Sequence, residues 1–292
     1  MYRDEPIRSA AAVDRSTSWH GGPAQSSMDV EFTQLSDRGR VRQGNEDYLG
    51  HVLAPTPAQA RSHGWLFALA DGVGGHDLGE IASRTAVENL CAGFREAPAG
   101  ETPASLLGRL VRAANAHVVD AGQQYAVSSA AMATTLVACL LRFDRATVAH
   151  VGDSRCYLVR RGEASVLTRD HTVASEHARL GLLSRDEVNT SPTRHILTRS
   201  LGSELFVNAD ISEHQVFAGD LLVLCSDGLH GSVRASEIGA IAGHDGGLEK
   251  AACRLVDIAN QRDGSDNISL QMIRVRSVER VGMYRGRPYR LP

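Results

Sequence analysis

Three apolar runs of this sequence end in the same way, and that repetition limits how the chain can fold. The runs are WLFALA (65–70), ATVAHV (146–151) and LLVLC (221–225). Each stops within two residues of an aspartate with small neighbours, namely Asp71, Asp153 or Asp227. A short apolar run that ends at such a place is typical of a buried strand followed by a turn. Because the strands of one sheet end at common edges, these carboxylates can converge in the folded chain.

A single aspartate beside glycine is an ordinary turn residue, so only the whole set supports a functional argument. Asp266 precedes the alternating run 267–275, and Glu46 with Asp47 adds two further carboxylates. Carboxylates that are brought together repel one another unless a cation neutralises them. An all-oxygen set without Cys or His suits Mg²⁺ or Mn²⁺, and the glycines after Asp71 let a main-chain carbonyl turn towards a metal. The pattern therefore predicts a divalent-cation site that lowers the pKa of bound water and clamps a phosphoryl group.

The remaining patterns predict the fold class. Apolar residues recur at helical spacing in three segments, which are 79–94, 103–122 and 248–262. The break at Arg161-Gly162 predicts a hairpin, and the run 267–275 is predicted to be the last strand. Strands come in adjacent groups and helices come in pairs between the groups. This arrangement favours an α+β layered sandwich over alternating βαβ units.

Composition excludes several classes of protein. The chain has 31 Lys plus Arg and 34 Asp plus Glu, a net charge of −3, which gives no support to a nucleic-acid or membrane-surface role. No apolar run approaches the roughly 20 residues that span a bilayer, and the N-terminus lacks the apolar core of a secretion signal. The 5 cysteines are scattered without a CxxC pair, which argues against a disulfide framework or a structural zinc site. We therefore expect a cytoplasmic protein with buried free thiols.

Eight stretches, in the same order along the chain, match the motifs of one enzyme family. They are Arg42 with Asn45-Glu46-Asp47, ALADGVGGHDLGEIAS (68–83), MATTLVACL (132–140), VAHVGDSRCYLV (148–159), LTRDHTV (167–173), ILTRSLG (196–202), LLVLCSDGL (221–229) and GSDNISL (264–270). Over roughly residues 31–275 the chain resembles the metal-dependent type 2C protein phosphatases, the PPM family, in its bacterial branch. The resemblance implies a four-layer αββα sandwich, in which two mainly antiparallel sheets are flanked by helix pairs.

The resemblance also implies a metal site with Mn²⁺ or Mg²⁺, two ions per active site and a weaker third. Asp71 would bridge the two metals, and Gly72 would give its main-chain oxygen to one of them. Asp227 and Asp266 would hold the other metal. Asp153 resembles the family's ligand for the third metal, which it would share with Asp227.

Further roles are implied for the residues around the metals. Asp47 and Glu46 would orient metal-bound waters, and Arg42 would grip the substrate phosphate, since a planar guanidinium fork suits phosphate oxygens. The implied catalytic residues are Arg42, Asp47 and Asp71. Val73 departs from the pattern of animal relatives, which carry at this position a histidine that is a proposed general acid. Another donor must then protonate the leaving serine or threonine oxygen.

The chain is expected to have one catalytic domain with two extensions. Residues 1–28 are interpreted as a flexible leader, 29–277 as the catalytic domain and 278–292 as a basic tail. The polar stretch of about 168–205 resembles the family's flap beside the active site. The pair Asp170-His171 within it is interpreted as local turn structure.

The predicted function is a serine/threonine phosphoprotein phosphatase that attacks phosphate esters with water activated at the two-metal centre. Its expected partners are phosphorylated proteins and a cognate bacterial serine/threonine kinase, with no nucleic acid and no membrane, and we expect a monomer. One alternative is a phosphohydrolase for small phosphate esters, and another is a phosphatase-like binding module without turnover. A module of that kind should have lost one of Asp71, Asp227 or Asp266, and all three are present.

Overall fold

The computed structural model describes residues 28–73, 77–124, 132–244, 246–284 and 287–290. The predicted leader therefore lies almost wholly outside the described residues, as do residues 74–76 of the second matching stretch. Every strand pairing in these ranges is antiparallel. No helix within them is both long and apolar enough to cross a membrane.

Two sheets stack face to face. In spatial order, the first contains β1 (Asp29–Asp37), β11 (Ile268–Ser277), β10 (Leu221–Cys225), β7 (Arg155–Arg160) and β8 (Glu163–Val166). The second contains β2 (Asp47–Val52), β3 (Trp65–Val73), β5 (Leu136–Arg142), β6 (Arg145–Val151) and β9 (Asp210–Gln215), with β4 (Ala133–Thr134) paired to β3. A separate hairpin consists of β12 (Val281–Tyr284) and β13 (Arg287–Arg290).

Helices cover the outer face of each sheet. The long helices α2 (Asp77–Arg95) and α3 (Pro103–Gln124) pack together on the second sheet. The helices α7 (Ala235–Ala242) and α8 (Leu248–Arg262) pack on the first sheet. Four short helices complete the described chain, which are α1 (Pro57–Ser62), α4 (Val173–Arg179), α5 (Arg185–Thr190) and α6 (Asp227–His230).

The burial of both sheet faces explains why the strands read as continuous apolar runs. Along β3, the side chains of Leu66, Ala68 and Ala70 pack under the helices, whereas those of Phe67 and Leu69 point into the core between the sheets. This alternation follows from the two-residue period of a strand. A strand buried on both faces needs apolar residues at every position, not at every second one.

The predicted αββα sandwich of two antiparallel sheets is confirmed. The three predicted helices are confirmed as α2, α3 and α8, and the predicted hairpin is confirmed as β7–β8. The strand β9, of sequence DISEHQ, escaped prediction because it is an edge strand with polar residues on both faces. Its position in the sheet depends on pairing with β6, which no local pattern reveals.

The prediction that residues 267–275 form the last strand is wrong. The hairpin β12–β13 follows this strand, in a segment that reads as irregular because it contains Gly, Pro and Arg instead of an apolar alternation. Val278 packs against the core between the sheets. Glu279 is buried and accepts a hydrogen bond from Arg61 Nε at 2.8 Å. The start of the predicted tail therefore contacts the folded body.

The core between the sheets makes a testable contribution to stability. Phe67 is fully buried there, and Phe67→Ala should lower the free energy of unfolding by about 3–5 kcal/mol, because it removes apolar contacts and leaves a cavity. The matched control is Phe206→Ala, since the Phe206 side chain is 88% exposed and its loss should change stability by no more than about 0.5 kcal/mol. Urea titrations of both variants measure the difference. Equal effects would contradict the assigned core.

Candidate active site

Backbone pairing brings the first two predicted carboxylates together. Asp47 begins β2 and lies directly opposite Asp71 in the β2–β3 register, so both side chains leave the same face of the sheet. Thr135 holds the end of β3, because its Oγ1 accepts the N–H of Asp71 at 2.9 Å and its own N–H donates to the Asp71 carbonyl at 2.8 Å. The Thr135 hydroxyl also lies 2.7 Å from the hydroxyl of Ser154, the residue after Asp153.

The first sheet supplies two more carboxylates at the same end of the sandwich. Asp227 follows β10 and opens α6, and Asp266 lies just before β11. Because β10 and β11 are antiparallel, with Cys225 opposite Leu270, the end of one strand lies beside the start of the other. Asp153 follows β6 in the turn that leads to β7. The strand ends thus meet across the two sheets, as the sequence pattern predicts.

The converging residues surround an open cleft of about 440 Å³. Seven of the eight predicted site residues line it, which are Arg42, Glu46, Asp71, Gly72, Asp153, Asp227 and Asp266. The eighth, Asp47, is buried, with 7% of its surface exposed. Val73 also lines the cleft, so the position where animal relatives carry histidine is apolar and reaches the site.

Burial dominates the electrostatics of Asp47. Ser226 Oγ donates to Asp47 Oδ2 at 2.8 Å, which favours the ionised form. Burial nevertheless raises the pKa of Asp47 to about 7, and the negative charges of Asp227 and Asp266 act in the same direction. Without a cation nearby, this carboxyl therefore retains its proton far above its ordinary range.

Two neighbouring carboxyls are affected in the same way. Burial, followed by the charges of Asp47 and Asp227, raises the pKa of Asp71 well above its ordinary value. Burial and the charges of Asp227 and Asp170 raise the pKa of Asp153 to about 7. The site thus holds carboxyls whose charged forms are unfavourable together, a state that a bound cation would reverse.

Two basic side chains contact the acidic cluster. Arg42 Nη2 donates to Asp266 Oδ2 at 2.9 Å, and His195 Nδ1 lies 3.4 Å from Asp227 Oδ2. Although burial acts to raise it, the pKa of Asp227 is lowered because His195 hydrogen-bonds to its carboxylate and His230 lies nearby. The cleft therefore contains both the acidic cluster and side chains that can bind an anion.

The donor set fits a hard divalent cation. Asp47 Oδ1 and Asp227 Oδ1 are buried and have no hydrogen-bond partner among the described residues. Buried carboxylate oxygens without a partner are costly unless something charged binds them, and all-oxygen donors suit Mg²⁺ or Mn²⁺. In the described ranges, no three acidic, imidazole or thiol side chains are placed so that together they could hold a metal ion. The site residues instead contact neighbouring side chains of the protein.

Gly72 has no room for a side chain. A Cβ at this position would collide with the main-chain oxygen of Gly79 at the start of α2. The Gly72 N–H donates to the Glu46 carbonyl at 3.1 Å, which ties the loop before β2 to the end of β3. The close approach of α2 therefore requires glycine directly after Asp71.

Asn267 was not predicted and holds the loop that carries Arg42 and Glu46. Its Nδ2 donates to the carbonyls of Arg38 at 2.9 Å and Gly44 at 3.0 Å, and its Oδ1 accepts the Glu46 N–H at 2.8 Å. The Asn267 side chain thus anchors this loop beside Asp266. The sequence contains a weak signal, since Asn267 is a polar residue between Asp266 and the start of β11.

Two cleft residues of the predicted flap segment also escaped prediction. Arg194 and His195 line the cleft. The hydrogen bond to Asp227 raises the pKa of His195 above its ordinary value. Adjacent basic residues in a polar stretch are usually a solvated surface, so their position beside the carboxylates depends on how the segment folds back.

Comparisons with known proteins agree with this geometry. The family profile described as Protein phosphatase 2C matches residues 40–269. The serine/threonine phosphatase stp of Listeria innocua is 34% identical over 266 residues, covering 89% of this chain and 99% of that protein. The structure of the S. agalactiae serine/threonine phosphatase has a TM-score of 0.76 at 31% identity and covers 85% of this chain and 100% of that one. The catalytic domain of the serine/threonine phosphatase PstP, solved with 2 manganese ions, has a TM-score of 0.71 at 31% identity, covering 85% and 99%.

The raised pKa of Asp47 predicts how stability depends on pH when metal is removed with EDTA. The unfolded chain ionises this carboxyl near 3.8 and the folded chain near 7, so the folded state binds more protons between these values. Its contribution to stability is therefore present below about pH 4 and is lost as the pH rises to about 7. In Asp47→Asn this loss is absent. As the pH rises through this window, the free energy of unfolding of the variant should therefore increase relative to that of wild type, by up to about 1.4 kcal/mol per pH unit.

Urea unfolding of both proteins at several pH values between 5 and 8 measures this difference. Repeating the series with saturating Mn²⁺ is the control, since a cation that competes with the proton should reduce the slope. A difference between the two proteins that does not change with pH in EDTA would show that Asp47 is not perturbed as described.

Proposed function

Because the chain belongs to the protein phosphatase 2C family, we propose that the acidic cleft is where it hydrolyses phosphoserine and phosphothreonine esters. The chain is a metal-dependent serine/threonine protein phosphatase, and its substrates are phosphorylated proteins. The observation that carries the assignment of the site is the meeting of carboxylates from both sheets, two of whose buried oxygens have no partner among the described residues.

The cleft residues divide into proposed metal ligands and substrate contacts. When bound, two divalent cations, Mn²⁺ or Mg²⁺, lower the pKa of water and neutralise the charge of the phosphoryl group. Asp71 would hold both ions, and the main-chain oxygen of Gly72 would hold one of them. Asp227 and Asp266 would hold the second ion. Asp153 would share a weaker third ion with Asp227.

The other predicted residues would orient the reactants. Asp47 and Glu46 would orient waters of the metal site. Arg42 lies at the mouth of the cleft, with 47% of its side chain exposed, where its guanidinium group can bind phosphate oxygens. Val73 has no proton to give, so the leaving oxygen must be protonated by another group. His195, whose pKa is raised by its bond to Asp227, is a proton-bearing side chain in the same cleft.

We further propose a cognate serine/threonine kinase as the source of the phosphoproteins, a monomeric enzyme and a cytoplasmic location. The described chain contains five free cysteines and no disulfide, which supports a reducing compartment. We also propose residues 29–277 as the catalytic domain, with 168–205 as the flap beside the cleft, because Arg194 and His195 of that segment line it.

The first test of the proposed site is Asp71→Asn. Its kcat on a phosphopeptide with saturating Mn²⁺ should fall by at least ~10²-fold, because the charge that holds the ions and activates water is lost. The control is Asp220→Asn, which breaks an ion pair between buried Asp220 and partly exposed Arg160 at the far end of β10. That variant should lose thermal stability but keep its kcat. A near wild-type kcat in Asp71→Asn, with the fold verified by circular dichroism, would refute the assignment of the cleft.

A second test concerns Arg42. If Arg42 binds the phosphate, Arg42→Ala should lower kcat/KM by about 10- to 100-fold, mainly through KM, because a charge-assisted hydrogen bond worth about 1.5–3 kcal/mol is lost. Arg276→Ala is a matched control, since Arg276 is equally exposed, at 46%, and pairs with a carboxylate at the far end of β11. Steady-state kinetics on one phosphopeptide compare the two variants. Equal kinetics in both would mean that Arg42 does not contact substrate.

A further inference from the structure

The turn that carries Asp153 has a demanding backbone. Gly152 lies at φ +106, in the left-handed region, and a Cβ there would be 2.6 Å from the Cβ of Thr135. The turn is buried, so its main-chain N–H and C=O groups need partners within the protein. The position of the Asp153 carboxylate therefore depends on what binds the backbone of this turn.

His171 binds both main-chain groups of Gly152. The N–H of His171 donates to the Gly152 carbonyl at 2.7 Å, and its ring Nδ1 accepts the Gly152 N–H at 3.1 Å. The His171 side chain has 0% exposure, and its ring packs against that of His150 with centroids 4.8 Å apart. The interpretation of Asp170-His171 as local turn structure therefore understates this contact, which links residues 19 positions apart.

The contacts of the other ring nitrogen determine the tautomer of His171. Because Nδ1 accepts a hydrogen bond, the proton of the neutral ring must be on Nε2. Nε2 lies 3.2 Å from Asp210 Oδ2, so it donates to that carboxylate. Arg199 Nη1 lies 3.3 Å from Nε2, but two donors do not bond, and Arg199 instead donates to Asp210 Oδ1 at 2.9 Å. By accepting the Nε2 proton, Asp210 thus favours the Nε2–H tautomer, in which Nδ1 can accept the Gly152 N–H.

A second histidine binds the next residue of the turn. His230 Nε2 donates to the main-chain carbonyl of Asp153 at 3.0 Å. Next to the turn, Arg155 makes two hydrogen bonds to Asp170, at 2.9 and 2.6 Å. Histidine side chains therefore bind the backbone of both Gly152 and Asp153, and one of them, His171, is itself bound by the carboxylate of Asp210.

We propose that Asp210 and His171 form a positioning relay that fixes the Gly152–Asp153 turn and so places the Asp153 carboxylate in the catalytic cleft. The relay runs from the start of β9, through the imidazole, to the backbone next to Asp153. This inference rests on the proposed function, in which Asp153 contributes to turnover. His171 is a positioning residue, because its described contacts do not include the cleft itself. The opposing interpretation is that His171 is a core histidine that contributes only stability.

A double-mutant cycle separates the two interpretations. His171→Ala should lower kcat about 10-fold with KM changed by less than about 2-fold, the loss typical for residues that orient a ligand from outside. On an Asp153→Ala background the same change should have little further effect on kcat, because the group that His171 positions is absent. His171→Asn should restore part of the loss, since the Asn Oδ1 can accept the Gly152 N–H. Asp210→Asn should lower kcat, whereas Glu237→Gln, which breaks an exposed ion pair between Glu237 of α7 and Arg262 of α8, should not.

A spectroscopic measurement tests the relay without relying on activity. In ¹⁵N-labelled wild-type protein, His171 should be the neutral Nε2–H tautomer, and a scalar coupling across the hydrogen bond should connect its Nδ1 with the Gly152 nitrogen. In Asp210→Asn the coupling should weaken. This test remains decisive if His171→Ala fails to fold.

Each outcome decides between the interpretations. The relay is overturned if His171 carries its proton on Nδ1, if no coupling to Gly152 is seen, or if His171→Ala costs as much on the Asp153→Ala background as in wild type. The last result, with Asp153→Ala itself impaired, would leave the proposed function intact. If Asp153→Ala alone keeps full kcat, Asp153 does not contribute to turnover. The proposal that His171 affects turnover through Asp153 is then also wrong.

Discussion

The mutual repulsion of buried carboxylates at one end of the sandwich is the constraint that the rest of the site has to satisfy. Burial and neighbouring charges raise the pKa of Asp47, Asp71 and Asp153, so the charged forms are unfavourable together. Such an arrangement persists only if the surrounding structure fixes the backbone that carries it. The same repulsion gives the site its affinity for divalent cations, because an ion that neutralises the charges also relieves the cost of burial.

Hydrogen bonds from polar side chains to the main chain hold the backbone that carries these carboxylates. Thr135 binds both main-chain groups of Asp71, and Asn267 joins the Glu46 loop to the start of β11. His171 and His230 bind the backbone of the Asp153 turn at successive residues, Gly152 and Asp153. Polar side chains that bind backbone leave the carboxylates available for cations and substrate. Asn267 also connects the two sheets, because it lies next to β11 and binds the loop before β2.

Much of this molecule can be predicted locally. The long helices have an apolar stripe at helical spacing, and the strands β3, β5 and β10 are apolar over most of their length because both faces are buried, so their existence follows from the sequence. The edge strand β9 and the terminal hairpin have no such pattern, since their residues are polar or irregular and depend on partners. For the same reason, the sequence did not predict Asn267 and His195 as site residues. Their roles depend on contacts with residues far away in the chain.

The sequence by itself determined which residues could form the site, because a strand that ends in aspartate beside glycine is a local property of the chain. It also determined the all-oxygen character of the site, which selects the class of metal. Only the tertiary structure decided that Asp47 lies opposite Asp71, that Asp47 is buried, and that His171 holds the Asp153 turn. Strand register, burial and the tautomer of a histidine each depend on which distant groups become neighbours, and local sequence patterns carry no information about that.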